Sequence, residues 1–108
     1  MQKDLLRQLT FPVTTSGDNT IIAAAQLGTG IGSIKVYQIE MVTDGAVTIT
    51  PKSGTTTIPG SLVLGGAGAS VVLQATGEPW WKCLPGQALV LNMSTGASVT
   101  GALYYALA

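Results

Sequence analysis

From residue 11 onward, apolar and polar positions alternate in short runs separated by glycine, proline and aspartate. That period of two is the mark of half-buried β-strands rather than helices. Phe11 to Thr15 predicts a short edge strand, because Pro12 cannot donate to a central ladder. Asp18 to Ala25 follows the Ser16-Gly17-Asp18-Asn19 turn, and Gln26 to Gly32 reads as a glycine-bearing loop. Ser33 to Val42 is the strongest strand pattern, with Ile34, Val36, Gln38, Glu40 and Val42 on one face and Lys35, Tyr37, Ile39 and Met41 on the other. Both faces are mixed, as suits a strand with one face in the core and the other in an interface. Thr43-Asp44-Gly45-Ala46 predicts a two-residue hairpin into the alternating run Val47 to Pro51. Shorter strands follow at Thr55–Ile58, Ser61–Leu64, Ala69–Thr76, Pro79–Leu84, Gln87–Met93 and Ala97–Ala106. Short strands at this spacing, with no βαβ alternation, predict a single all-β domain, an antiparallel β-sandwich or small barrel over residues 11–108.

Residues 1–10 differ from the rest. Leu5, Leu6 and Leu9 have roughly helical spacing opposite Lys3, Arg7 and Gln8, so this segment is expected to be an arm or a short helical turn, either gripping a neighbour or simply a frayed terminus. Its removal is expected to leave the β domain folded and to weaken attachment.

Charge sharpens the picture. Only 9% of the 108 residues are charged, with net charge zero, while 46% are hydrophobic and mean hydropathy is +0.44. Average soluble domains carry about 25% charged residues, so apolar surface is expected to be covered by copies of the chain or by a partner. Nucleic-acid binding needs clustered Lys and Arg, and an anionic membrane surface needs the same; neither cluster exists. A single cysteine, Cys83, excludes an internal disulfide and reads as a small buried residue. Residues 1–11 lack the apolar stretch of a secretory signal, so synthesis and residence in a cytoplasm are expected.

Reactive chemistry has little to build on. Without histidine, a Ser-His or Cys-His pair and His-ligated zinc are impossible. Five carboxylates are scattered at Asp4, Asp18, Glu40, Asp44 and Glu78; distant strands would have to bring Glu40 and Glu78 together for a glycosidase pair. Gly28-Thr29-Gly30-Ile31-Gly32 and Gly65-Gly66-Ala67-Gly68 precede no helix pattern and read as turns rather than phosphate cradles. Asp44-Gly45 lacks the further ligands of a calcium loop. The expectation is a non-enzyme with no cofactor and no metal.

The aromatic residues are the remaining candidates. Adjacent residues on a strand point to opposite faces, so one of Trp80 and Trp81 is expected in the core and the other outward, at an interface or as a sugar-stacking platform. Tyr104 and Tyr105 pose the same choice between core and interface. With Leu5, Leu6, Arg7, Leu9 and Phe11, these residues form the expected set of contacts.

The order of motifs resembles a known group. Phe11-Pro12-Val13-Thr14 and Thr20-Ile21-Ile22-Ala23-Ala24 open the series, and Ile34-Lys35-Val36-Tyr37, Gly45-Ala46-Val47-Thr48-Ile49, Lys52-Ser53-Gly54 and Ile58-Pro59-Gly60 follow. Gly77-Glu78-Pro79-Trp80-Trp81, the run from Pro85 to Asn92, and Val99-Thr100-Gly101-Ala102-Leu103-Tyr104-Tyr105 complete it. Across residues 11–106 this resembles small virion proteins of tailed phages with a jelly-roll or related β-sandwich fold, among them head decoration (cement) proteins, fibre components and baseplate appendages. The resemblance implies a jelly-roll-like homotrimer on the capsid surface that binds the major capsid protein and stabilises the head, made in a host bacterial cytoplasm. The absence of a shaft favours a decoration protein over a tail, fibre or baseplate module contacting the host surface. A free-standing carbohydrate-binding domain, with a host glycan as partner, is the third reading.

Overall fold

The computed structural model describes residues 7–23, 32–75 and 77–107. Among these there is no helix, and ten strands form two five-stranded antiparallel sheets. The strands are β1 (Arg7–Val13), β2 (Gly17–Ile22), β3 (Ile34–Thr43), β4 (Val47–Ser53), β5 (Thr56–Thr57), β6 (Leu62–Leu64), β7 (Ser70–Gln74), β8 (Trp81–Lys82), β9 (Leu89–Met93) and β10 (Val99–Leu107). One sheet runs β1-β10-β3, and the free edge of β3 is shared by β7, against Gln38–Val42, and β8, against Lys35–Val36. The other runs β2-β9-β4, and the free edge of β4 is shared by β5 and β6. With each shared edge counted as one strand, the sheets read 1-8-3-6 and 2-7-4-5, the strand order of a jelly roll. The fold is thus the antiparallel β-sandwich that the alternation predicts.

The sheets adhere through their inner faces. Phe11, Val13, Ile39, Met41, Val99 and Leu103 from the β3 sheet meet Ile22, Val47, Ile49, Leu64, Leu89, Leu91 and Met93 from the β4 sheet. Each such side chain contributes about 1.5–3 kcal/mol when fully buried. Trp81 joins this core from β8, and a Cβ on Gly60 would stand 3.8 Å from its Nε1, so the indole reaches the loop between β5 and β6. Ser53 lies on the inner face of β4 at no polar cost. Its Oγ donates to Gln87 Oε1 (2.7 Å) and accepts the Leu84 N–H (2.9 Å).

Three local expectations are corrected. Arg7–Thr10 form no arm or helical turn; they are the first half of β1, paired with Tyr105–Ala102, and Leu9 packs against the core. Residues 1–6, with Leu5 and Leu6, lie outside the described residues. The Asp44-Gly45 step closes no hairpin: β3 and β4 belong to different sheets, and the step is a crossover. Asp44 Oδ1 accepts the Ser98 N–H (2.7 Å), the Asp44 N–H donates to Ser98 O (3.0 Å), and Gly45 has no positive φ of the kind a type I′ turn demands. Strand β3 does not keep one face throughout. Tyr104 pairs with Gln38 but Tyr105 pairs with Val36, which leaves Tyr37 as the extra residue of a bulge. Ile34 and Val36 point inward before it, and Ile39, Met41 and Thr43 after it.

Gly101 is fixed by contact rather than by turn geometry. A Cβ there would collide with the Glu40 carbonyl and stand 3.0 Å from Met41 Cγ and 3.1 Å from Phe11 Cζ. Gly101→Ala is therefore expected to cost about 1–3 kcal/mol, the range for overpacking a core; urea unfolding that leaves the midpoint unchanged would refute the contact. Deleting residues 1–10 is now expected to lower the thermal midpoint, because it removes four paired residues of β1.

Candidate functional site

The outward faces of the two sheets differ in chemistry. On the β4 sheet the cross-strand row Asp18, Asn92, Thr50 lies beside Lys52, and the groups satisfy one another. Lys52 Nζ donates to Asp18 Oδ2 (2.9 Å), Asn92 Nδ2 donates to Asp18 Oδ1 (2.7 Å), and Thr50 Oγ1 lies 3.1 Å from Ser61 Oγ. The Asn92 hydrogen bond, then that of Lys52, holds the Asp18 carboxyl below its ordinary value. A depressed carboxyl contributes stability above its unfolded pKa, and that contribution is lost as pH falls through the folded value. Because Asp18 is exposed, the contribution is small. Val63, paired with Thr48 on the same outer face, is 75% exposed.

The β3 sheet presents another surface. Before the bulge in β3 an outward row, Ala106-Lys35-Lys82, carries two lysines, and after it three cross-strand rows face outward: Pro12-Thr100-Val42-Ser70, Thr10-Ala102-Glu40-Val72, and Gln8-Tyr104-Gln38-Gln74. These twelve positions hold one carboxylate and no cation. Glu40 Oε1 accepts from Gln38 Nε2 (2.9 Å). Val42 and Val72 are 45% and 62% exposed. The small residues Gly101 and Ala102 leave a shallow depression of about 280 Å³ between them. No signal in the spacing of single residues marks Val42 and Val72; their exposure follows only from the shift of face at Tyr37 and from the pairing of β7.

A second surface lies at the end of the same sheet. Trp80 is 46% exposed and Trp81 2% exposed, so the alternation places the first outward and the second in the core. A groove of about 480 Å³ is lined by Gln74, Ala75, Gly77, Glu78, Pro79 and Trp80. The bulge builds its rim. In a regular strand consecutive carbonyls point to opposite edges, yet here Val36 O accepts from the Trp80 N–H (2.8 Å) and Tyr37 O from the Ala75 N–H (2.8 Å). Both ends of the 75–80 loop are therefore tied to neighbouring carbonyls on one edge of β3.

The expected contact residues separate. Phe11 and Trp81 are core and unavailable to a partner, while Leu9, Tyr105 and the core are packed together. Arg7 is exposed at the start of β1, opposite Tyr105, and Tyr104 sits half-buried on the outer face of β10. Glu40 and Glu78 line different grooves. Among the described residues no three acidic or cysteine side chains converge as a metal site requires. No protein-family model matches the sequence, and no curated protein matches it either.

Cys83 is buried, and that burial pushes its thiol above the ordinary value. The thiolate is the reactive form, so native protein at pH 8 is expected to resist Ellman's reagent and to react fully once unfolded in urea. Rapid reaction of the native protein would show that the site is open.

Proposed function

We propose that this chain is a structural protein of a tailed-phage virion, a capsid decoration protein that associates with copies of itself, as a homotrimer, and with the major capsid protein to stabilise the head. The observation that carries this reading is the outer face of the β3 sheet. Interfaces are depleted of charge at their centres, and the centre of this face offers twelve positions with one carboxylate, two exposed valines and a depression that they line. The two long extents of the molecule, 38 and 27 Å, suit an interface that buries about 800 Å² per partner. Glu40 fits such an interface if it keeps hydrogen-bond donors, and Gln38, with Tyr104 and Gln74 on the same row, supplies them. The jelly-roll order and the phage-protein resemblance of residues 11–106 point the same way. The action is mechanical: apolar faces buried between subunits hold capsid proteins together against internal pressure.

The exposed Trp80 favours a second reading, a tail, fibre or baseplate module that contacts the host surface.

Light scattering after size exclusion is expected to give a mass near three times 11.0 kDa. Val42→Lys with Val72→Lys is expected to shift that species to monomer without unfolding it, since both side chains are exposed. Capsids saturated with the protein are expected to melt at higher temperature than bare ones. A monomeric parent would remove the self-association, and electron microscopy placing the protein away from the head would overturn the decoration role.

A further inference from the structure

The Trp80 groove carries an inference separate from the assembly face. We propose that it is a subsite for a neutral pyranose ring, which stacks on the Trp80 indole while its hydroxyls bond to Glu78 and Gln74. The proposal is independent of where the protein sits on a virion, and it uses none of the residues on the apolar face except Gln74.

Four features of the groove point to a sugar. First, an indole face carries negative charge density, which attracts the weakly positive C–H bonds on one face of a pyranose. Trp80 is 46% exposed, and the next residue, Trp81, anchors β8 in the core. Second, the platform is fixed before any ligand arrives. Ala75 and Trp80 are held by Tyr37 O and Val36 O (both 2.8 Å), and Pro79 restricts the backbone before the indole. A ligand therefore spends little binding energy on ordering Ala75 and Trp80. Third, the rim has the polarity that hydroxyl groups need. The Glu78 carboxylate accepts, the Gln74 amide both donates and accepts, and a Cβ on Gly77 would meet nothing within 4 Å, so the backbone there is open. Fourth, the volume of about 480 Å³ lies in the range of about 300–1,000 Å³ typical of small-ligand sites.

The same features disfavour a proline-rich peptide. Such peptides dock on grooves lined by several aromatic rings, and this groove has one. They also disfavour an anion, since the ionisable group in the lining is a carboxylate.

The probes are maltotriose, cellotriose and N,N′,N″-triacetylchitotriose, titrated into the full chain and followed by tryptophan fluorescence and calorimetry. The chain has two tryptophans, and one is buried, so a saturable change in emission reports on Trp80. At least one probe is expected to bind, and Trp80→Ala is expected to weaken it by more than about tenfold. Trp80→Phe keeps a stacking face and is expected to retain most of the affinity, and Gln74→Ala to lose part of it. Circular dichroism of each variant checks the fold, and Val42→Lys with Val72→Lys is expected to leave sugar binding intact. If none of the three sugars binds, the proposal fails. If Trp80→Ala binds as the parent does, or a proline-rich peptide binds in place of the sugars, it fails as well. Loss of trimer mass alone bears on the assembly reading and not on this site.

Discussion

Two sheets stay together here because each keeps one apolar face turned toward the other, and every local feature serves or interrupts that arrangement. Ile39, Val99 and Leu103 on one side and Ile49, Leu89 and Leu91 on the other are fully enclosed. Gly101 lets β10 lie close against Phe11 and Met41. Crossovers replace hairpins where the chain must leave one sheet for the other, and the Asp44–Ser98 hydrogen bonds fasten one such corner. The bulge at Tyr37 is the one place in β3 where the inward set changes, and it is where the Trp80 loop begins and ends.

Much of the architecture was legible in the sequence because strand alternation is a local signal. Val47, Ile49 and Pro51 point inward and Thr48 and Thr50 outward, as their spacing predicts. What was not legible depended on partners remote in the chain. Asp44-Gly45 has the composition of a hairpin turn, and only the pairing of β3 with β10 and of β4 with β9 makes it a crossover. The mixed faces of Ser33–Val42 concealed the bulge, since an inserted residue leaves no mark on composition. Leu9 has helical spacing with Leu5 and Leu6, although Leu9, Phe11 and Val13 also share a strand face, and the strand prevails because Tyr105 to Val99 pair with it. Trp80 and Trp81 were legible as an in-and-out pair, but their direction follows from Trp81 pairing with Val36.

The two outer faces show how ten charged residues suffice for a chain this apolar. Asp18 and Lys52 neutralise each other on the β4 sheet. The β3 sheet keeps Glu40 beside Gln38 and leaves the rest of its centre uncharged. Exposed valines occur on both faces, Val63 on the β4 sheet and Val42 and Val72 on the β3 sheet.

The loop tied to Val36 and Tyr37 has a consequence for how such a molecule can diversify. Its anchoring hydrogen bonds come from backbone groups, so they are indifferent to which side chains lie between them. Lengthening a loop with fixed ends costs entropy only in proportion to the logarithm of its length. Side chains between Ala75 and Trp80 can thus change without removing either anchoring hydrogen bond.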